Sequence, residues 1–301
     1  MKILNILQIL NSIKYDYNIA KKTWFGSGGK TKIFFEPKSI AELIFFLKFL
    51  PKRIVIFVIG LGSNTLIRDG GFNGVIIKLN KGFNKIDYNK RKKIITVGSG
   101  VKNIDLSKFS LDNQIRGFEF LIGIPGSLGG SIKMNASCYE QTISDLFIQA
   151  SLIDRKGNIH ILTKEKIQFE YRKTSIPKDW IFIDATFRVK NSKKGLIKKR
   201  MDSITTKRRK SQPVASRTGG STFKNSKEFK AWELIDKIGY RGMNIGDAKI
   251  SDLHPNFIIN KGNAKSLDIE LLGEEIRKKV FSKTGIKLKW EIIRVGEFVK
   301  V

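Results

Sequence analysis

Residues 54–59 read Ile-Val-Ile-Phe-Val-Ile, an unbroken apolar and β-branched run closed by Gly60, the pattern of a strand buried on both faces. Just upstream, Ser39-Ile40-Ala41-Glu42 has capping-box spacing: the serine can serve the third helical amide while the glutamate reaches back to the cap. That predicts a helix over 40–50, stopped by Pro51. Further apolar patterning predicts strands over 74–79, 93–97, 148–153, 159–162 and 180–189, and a helix over 103–113. Strands and helices do not alternate strictly, so the N-terminal part reads as α+β.

Downstream, Ser226 is placed to cap a helix running to 238, with Gly239 as its left-handed end. Ser266 opens a second helix to about 283, ended by Gly285, and strands over 248–251, 257–260 and 290–295 complete a small α/β layer. Between the two parts lies the polar, basic stretch 190–210, predicted as a solvated linker helix over 196–209. The expected domains are therefore 1–190, in subdomains of about 1–79 and 80–190, a linker over 191–210, and a substrate or lid domain over 211–301. The first ten residues are apolar but interrupted by Asn5 and Gln8, and no small-residue cleavage site follows before Lys14. They read as an amphipathic helix, not a signal peptide.

Composition changes this picture in two ways. A single cysteine, Cys138, can form neither an internal disulfide nor a zinc cluster, which points to an intracellular protein. Its expected role is that of a small apolar side chain near the ligand. No uncharged apolar run approaches the roughly 20 residues of a membrane span, so a soluble, cytoplasmic chain is expected. Net charge is +30, from 57 Lys and Arg against 27 Asp and Glu. The lysines are spread along the whole length, accompanied by heavy use of Ile, Asn and Phe, which reads as compositional drift into solvated positions. A nucleic-acid binder would instead cluster Lys and Arg with aromatics around a recognition element, so only weak, salt-sensitive binding is expected. A positive field would also favour ligands that carry several phosphates. His160 and His254 lack partners at metal-ligand spacing, and no metal site is expected.

Two glycine-rich loops carry the candidate chemistry. Gly60-Leu61-Gly62-Ser63-Asn64-Thr65 starts like a dinucleotide fingerprint. Thr65 stands where the third glycine belongs, and Asp69-Gly70-Gly71 turns the chain again before any long helix could form. A Rossmann site is thereby excluded, yet the loop can still gather backbone N–H groups around phosphate oxygens. The second loop, Ile124-Pro125-Gly126-Ser127-Leu128-Gly129-Gly130, leads into Met134-Asn135-Ala136. Two such loops with neutral donors predict an extended dinucleotide such as FAD, held through Gly60 to Thr65, Gly126, Ser127, Gly129, Gly130 and Asn135.

Several ordered motifs carry a family resemblance: Thr23-Trp24-Phe25 with Gly28-Gly29, the Gly60 to Asn64 loop with Arg68-Asp69-Gly70-Gly71-Phe72, and Glu119-Phe120-Leu121 running into the second loop. Others are Gly219-Gly220-Ser221-Thr222-Phe223-Lys224-Asn225, His254-Pro255-Asn256-Phe257-Ile258-Ile259-Asn260 and Gly262-Asn263-Ala264. In these motifs the chain resembles the UDP-N-acetylenolpyruvoylglucosamine reductases, in their shorter class without a tyrosine-bearing insertion. The resemblance implies an FAD-binding fold of the vanillyl-alcohol-oxidase (PCMH) type with non-covalent FAD, NADPH as reductant, and a UDP-sugar enolpyruvyl ether as substrate. An FAD oxidase of the same superfold acting on a sugar or alcohol is the alternative; such enzymes often tether flavin through His or Cys, and the Gly60 loop has neither.

By the same resemblance, Tyr171-Arg172-Lys173-Thr174 matches a Tyr-Arg-x-Ser element and assigns Arg172 to the substrate carboxylate. A planar, permanently charged guanidinium suits a carboxylate whose charge grows during reaction. Thr174 keeps the hydroxyl of the usual serine. Ser221 aligns with the proton donor and Glu291 with the remaining catalytic residue, although Lys289 and Trp290 depart from the family's usual flanking pattern. Lys224 and Asn225 are candidate contacts for the UDP diphosphate, with Ser226 in place of the usual proline.

Overall fold

The computed structural model describes residues 10–299. The expected N-terminal helix lies, except for Leu10, outside the described residues. By packing, the chain forms two units, one of residues up to 15, 33–61 and 74–207, the other of 16–32, 62–73 and 208 onward. Chain order and packing thus divide the molecule differently, because two early segments pack with the C-terminal residues.

The first unit is built on a five-stranded antiparallel sheet in the order Ile159–Thr163, Phe147–Ile153, Ile181–Arg188, Ile94–Gly98 and Ile86–Asn89. The central strand sends its side chains into two cores, and an irregularity in its pairing opposite Ser151 and Leu152 resets the alternation between Ile183 and Ala185. Phe182, Ala185 and Phe187 pack with Phe118, Phe120, Leu128 and Ile132, while Ile181 and Ile183 pack with Phe35, Leu43, Phe46, Val75 and Ile77. The first core brings the helix Asn103–Asp112 and the short helix Leu128–Lys133 against the sheet. Helix Ile40–Phe49 belongs to the second, where Phe46 stacks on Phe35 with ring centroids 4.1 Å apart.

Several expectations need correction. Strand Val55–Ile59 is not buried on both faces: it is the edge of a four-stranded sheet, parallel to Phe72–Lys78, and Val55 is 58% exposed. An edge strand loses one flanking neighbour, so an apolar run alone cannot distinguish it from a central one. The Ser39 hydroxyl does accept the Glu42 amide (3.2 Å), but Glu42 reaches one residue further back, to the Lys38 amide, leaving the reciprocal half of the box unmade. Helix Lys194–Ser211 covers the basic stretch. It is not solvated all round, since Ile197, Met201 and Ile204 form a buried stripe at spacings of four and three.

The second unit holds an antiparallel sheet in the order Arg217–Ser221, Phe257–Asn260, Ala248–Ile250 and Asn244–Ile245. Helices Ala231–Lys237 and Ser266–Thr284 pack on it, around a core that includes Phe25 and Leu66. Gly285 ends the long helix at φ +70°, its N–H donating to the Phe281 carbonyl, as the sequence predicts. The shorter helix starts later than expected. Ser226 instead accepts the amides of Glu228 and Phe229 in a turn, and the first helical amide, of Ala231, donates to Asn225. Regular strand over 290–295 shrinks to Ile293–Val295, paired in parallel with Thr65–Ile67.

Candidate active site

In the first unit the two glycine loops meet. A Cβ added to Gly60 would lie 2.5 Å from the Ser127 Oγ, so the absence of a side chain at 60 is what lets the loops touch. Ser127 precedes the helix Leu128–Lys133, whose first amides are drawn inward: Leu128 donates to Val101 O and Gly129 to Ser99 O, both at 2.9 Å. Gly129 could not carry a Cβ without coming within 2.9 Å of the Ser99 side chain, whereas beside Gly130 the nearest atom is Ser127 Oγ at 3.8 Å. Two buried polar atoms nearby, Ser99 Oγ and Asn135 Oδ1, have no hydrogen-bond partner among the described residues. Buried polar groups are ordinarily satisfied. Loop backbone open at Gly130 and orphaned neutral acceptors and donors fit a flavin dinucleotide, whose ring edge and pyrophosphate present complementary groups. Asn135 itself sits at φ +39° and donates Nδ2 to the Glu170 carbonyl at 3.2 Å.

The rest of the first loop belongs to the second unit and runs into strand Thr65–Ile67, not into a helix, as the exclusion of a Rossmann unit requires. Gly62, at φ +69°, admits no Cβ because the Lys22 carbonyl would be 2.1 Å away, and its own carbonyl accepts the Trp24 amide. Asn64 ties the loop to the candidate catalytic strand: its Nδ2 donates to Glu291 O (3.2 Å) and its carbonyl accepts the Ile293 amide (3.0 Å). Thr65 is buried within the strand pairing.

The segment that follows Ser221 pairs with the segment that ends at Glu291. The Glu291 amide donates to Thr222 O and the Lys224 amide to Lys289 O, both at 2.8 Å, flanking the antiparallel bridge between Phe223 and Trp290. Gly220, at φ +80°, turns the chain into Ser221, and below it the Phe25 ring would lie 2.5 Å from any Cβ on Gly219. Asn256 clamps the far side, accepting the Phe223 amide and donating to the Phe223 carbonyl. His254 supports that clamp: its Nδ1 accepts the Asn256 amide, and burial lowers its pKa, so the neutral ring is favoured. The unusual Trp290 proves compatible with the strand. Its indole fills the space above Gly273, donates Nε1 to Glu274 at 2.8 Å and carries the Arg294 guanidinium 4.2 Å over its ring. Asn225 Oδ1 is committed to the Ala231 amide.

Arg172 occupies the tip of a tight hairpin in which Phe169 pairs with Thr174 and Glu170 with Lys173. Its φ of +58° is a left-handed conformation rare for a side-chain-bearing residue. The guanidinium donates Nη1 to Ser137 Oγ at 2.8 Å and lies 4.8 Å over the Tyr171 ring. Thr174 is buried, with its hydroxyl 3.4 Å from Lys133 O. Cys138 is half-buried and pairs with Gln141 in a two-residue ladder. His160 is a hydrogen-bonding and stacking partner, with Nε2 2.9 Å from Asp154 Oδ2 and its ring 4.4 Å from the Trp180 ring centroid. Among the described residues no group of three or more His, Cys, Asp or Glu could hold a metal ion.

Sequence reasoning gave no structural role to Asp69, Asn256 or Lys133. The first two lie inside resemblance motifs but offer no local signal of what they touch, and Lys133 is one lysine among many.

Comparison with known proteins agrees across the chain. The FAD binding domain family matches residues 31–163, and the family described as UDP-N-acetylenolpyruvoylglucosamine reductase, C-terminal domain, matches residues 212–295. The UDP-N-acetylenolpyruvoylglucosamine reductase of Rickettsia typhi is 46% identical over 297 residues, covering 98% of this chain and 100% of its own. That of Orientia tsutsugamushi (strain Ikeda) is 43% identical over 297 residues, with 98% of each chain covered. Among solved structures, UDP-N-acetylenolpyruvylglucosamine reductase from Thermus caldophilus aligns with a TM-score of 0.80 at 28% identity, covering 94% of this chain and 97% of that one.

Proposed function

The chain belongs to the UDP-N-acetylenolpyruvoylglucosamine reductase family, and from that membership we propose which of its residues carry the reaction. The family's activity is FAD-dependent reduction of UDP-N-acetylglucosamine enolpyruvate to UDP-N-acetylmuramate in peptidoglycan synthesis, and the use of NADPH follows from the family. The fold is α+β, an FAD-binding domain of the vanillyl-alcohol-oxidase type followed by the family's C-terminal domain. We set the domain limits at 1–190, 191–210 and 211–301.

Bound in this fold, FAD would be reduced by NADPH, and the reduced flavin would supply the hydride equivalent for the methylene carbon of the enolpyruvyl group. The residues assigned to hold FAD are Gly60, Leu61, Gly62, Ser63, Asn64, Thr65, Gly126, Ser127, Gly129, Gly130 and Asn135. The contact of Gly60 with Ser127 and the orphaned Asn135 Oδ1 support that assignment. Arg172 receives the substrate carboxylate, whose negative charge grows as hydride adds to the double bond. The Ser221 hydroxyl delivers the proton that completes the reduction at the neighbouring carbon, and Glu291 acts on the carboxylate side. Lys224 and Asn225 contact the diphosphate, Asn225 through its Nδ2, since its Oδ1 serves the Ala231 amide. The observation that carries this division of labour is the pairing of the Ser221 segment with Glu291.

Stopped-flow measurement of the two half-reactions tests it. Ser221→Ala is expected to leave flavin reduction by NADPH intact and to slow reoxidation by the enolpyruvyl substrate about 10²- to 10⁴-fold. Equal loss in both half-reactions would remove Ser221 from the chemistry.

Among the described residues no helix is long and apolar enough to cross a membrane. We infer a cytoplasmic enzyme acting on small molecules without specific nucleic-acid binding. The scattered lysines support this, and tight DNA or RNA binding that survives raised salt would overturn it.

A further inference from the structure

The segment that follows the second glycine loop makes contacts at alternate residues, 133, 135 and 137, with the hairpin that carries Arg172. Lys133 Nζ donates to the carbonyls of Ile176 (2.9 Å) and Pro177 (2.7 Å), and its own carbonyl accepts the Thr174 hydroxyl at 3.4 Å. Asn135 Nδ2 donates to Glu170 O on the other hairpin strand, and Ser137 Oγ accepts the Arg172 guanidinium. Arg172 needs such restraint, since a left-handed conformation at a residue with a long side chain persists only where the surroundings impose it. Two paired strands of two residues each are too short to impose it alone.

We propose that Lys133 is a positioning residue for the reduction, its ammonium clamping the Ile176 and Pro177 carbonyls so that Arg172 is held in its left-handed turn with the guanidinium against Ser137. The proposal rests on the reading of Arg172 as the carboxylate-binding residue. Lys133 touches neither substrate nor cofactor in this scheme. It acts because two carbonyls just past the hairpin would otherwise be free to move, and a displacement of about 1 Å at a substrate-orienting group can cost on the order of 10²-fold in rate. A lysine suits the place: three donors on a flexible stem can serve two adjacent carbonyls. Burial pushes the Lys133 pKa down to about 8, against the opposing attraction of Asp179.

The test compares Lys133→Met, Lys133→Arg, Arg172→Ala and the double variant Lys133→Met/Arg172→Ala as FAD-loaded enzymes. Lys133→Met is expected to slow flavin reoxidation by the enolpyruvyl substrate about 10- to 100-fold and to raise the apparent KM for it. NADPH-driven flavin reduction and FAD affinity should stay within about twofold, and Lys133→Arg should recover part of the loss. In the Arg172→Ala background Lys133→Met should cost nothing further, because a residue acting through another is silent once that other is gone. Independent, multiplicative losses in the double variant would overturn the proposal, as would a Lys133→Met loss shared equally by both half-reactions. If Arg172→Ala alone leaves reoxidation at the wild-type rate, it is the reading of Arg172 that fails.

Discussion

Arg68 and Glu270, 202 residues apart in the chain, form a two-pronged ion pair in which Nε–Oε2 and Nη2–Oε1 are both 2.9 Å. The same carboxylate accepts Arg294 Nη1 at 2.8 Å, and Arg68 Nη1 donates to the Gly296 carbonyl, so one nearly buried acid holds two arginines at the strand pair Thr65–Ile67 and Ile293–Val295. Glu270 holds the Arg68 pKa above its usual value, chiefly through the hydrogen bond. Removing the acid leaves two facing cations without their shared partner. Glu270→Ala is therefore expected to cost about 3 kcal/mol of stability, read as the shift in urea midpoint at constant slope. An unchanged midpoint would show that solvent replaces the pair at no cost.

Gly273 lies inside the helix Ser266–Thr284, where replacing glycine by alanine ordinarily gains up to about 1 kcal/mol. Here the sign reverses. A Cβ at 273 would stand 2.1 Å from the Trp290 ring, so the indole must leave and surrender its bond to Glu274. Gly273→Ala is expected to destabilise by roughly 1–3 kcal/mol. Trp290→Ala made in the same chain should return to the alanine variant the helix gain that the clash conceals, so Gly273→Ala should be stabilising in a Trp290→Ala background. Denaturant titration of the four proteins decides it.

Lys133 links stability to pH. Its pKa is lowered from 10.5 to about 8, mainly by desolvation, with Asp179 opposing and Lys178 assisting the shift. Between those two values the unfolded chain binds more protons than the folded one, so this group's contribution to stability improves as pH rises from 8 to 10.5 and is constant below 8. The difference in unfolding free energy between wild type and Lys133→Met should climb across that window and flatten beneath it. A flat difference throughout would mean that the ammonium is not desolvated.

Gly60 and Ser127 provide the cofactor test. Gly60→Ala places a methyl 2.5 Å from the Ser127 Oγ and should weaken FAD binding about tenfold or more by parting the loops. Adding Ser127→Ala removes the clashing hydroxyl and should restore part of the affinity, since the Ser127 Cβ lies at 3.6 Å. Fluorescence titration of the apoprotein with FAD measures both. Yellow colour should leave the wild-type chain on denaturation, as non-covalent binding demands; retained colour would point to a tethered flavin.

Where the signal was local, the sequence sufficed. Helix Ile40–Phe49 follows from Ser39 and the proline two residues beyond it, Gly285 ends its helix because only a residue without Cβ takes φ +70° freely, and strand Phe257–Asn260 has the limits its apolar run predicts. The glycine loops and the stretches around Arg172, Ser221 and Glu291 are short contiguous patterns visible in the sequence, and the roles proposed for those three residues come from the family resemblance. Ser226, by contrast, looked like a cap and became a turn, because Asn225 reaches the helix amide first.

What only the tertiary structure decided is which distant groups meet. The run 54–59 was readable as a strand but not as an edge, since that depends on which neighbours arrive. The amides that open helix Ser266–Thr284 are capped by Asp69, at 3.0 Å to Ser266 and 2.9 Å to Leu267, and nothing near residue 266 announces a partner almost two hundred residues earlier. Lys133 is likewise one cation among 57 until its carbonyl partners are placed beside it. Backbone preference is set by a residue and its immediate neighbours, whereas burial and partnership are set by packing of segments remote in the chain, and the same side chain satisfies the first requirement in many places but the second in only one.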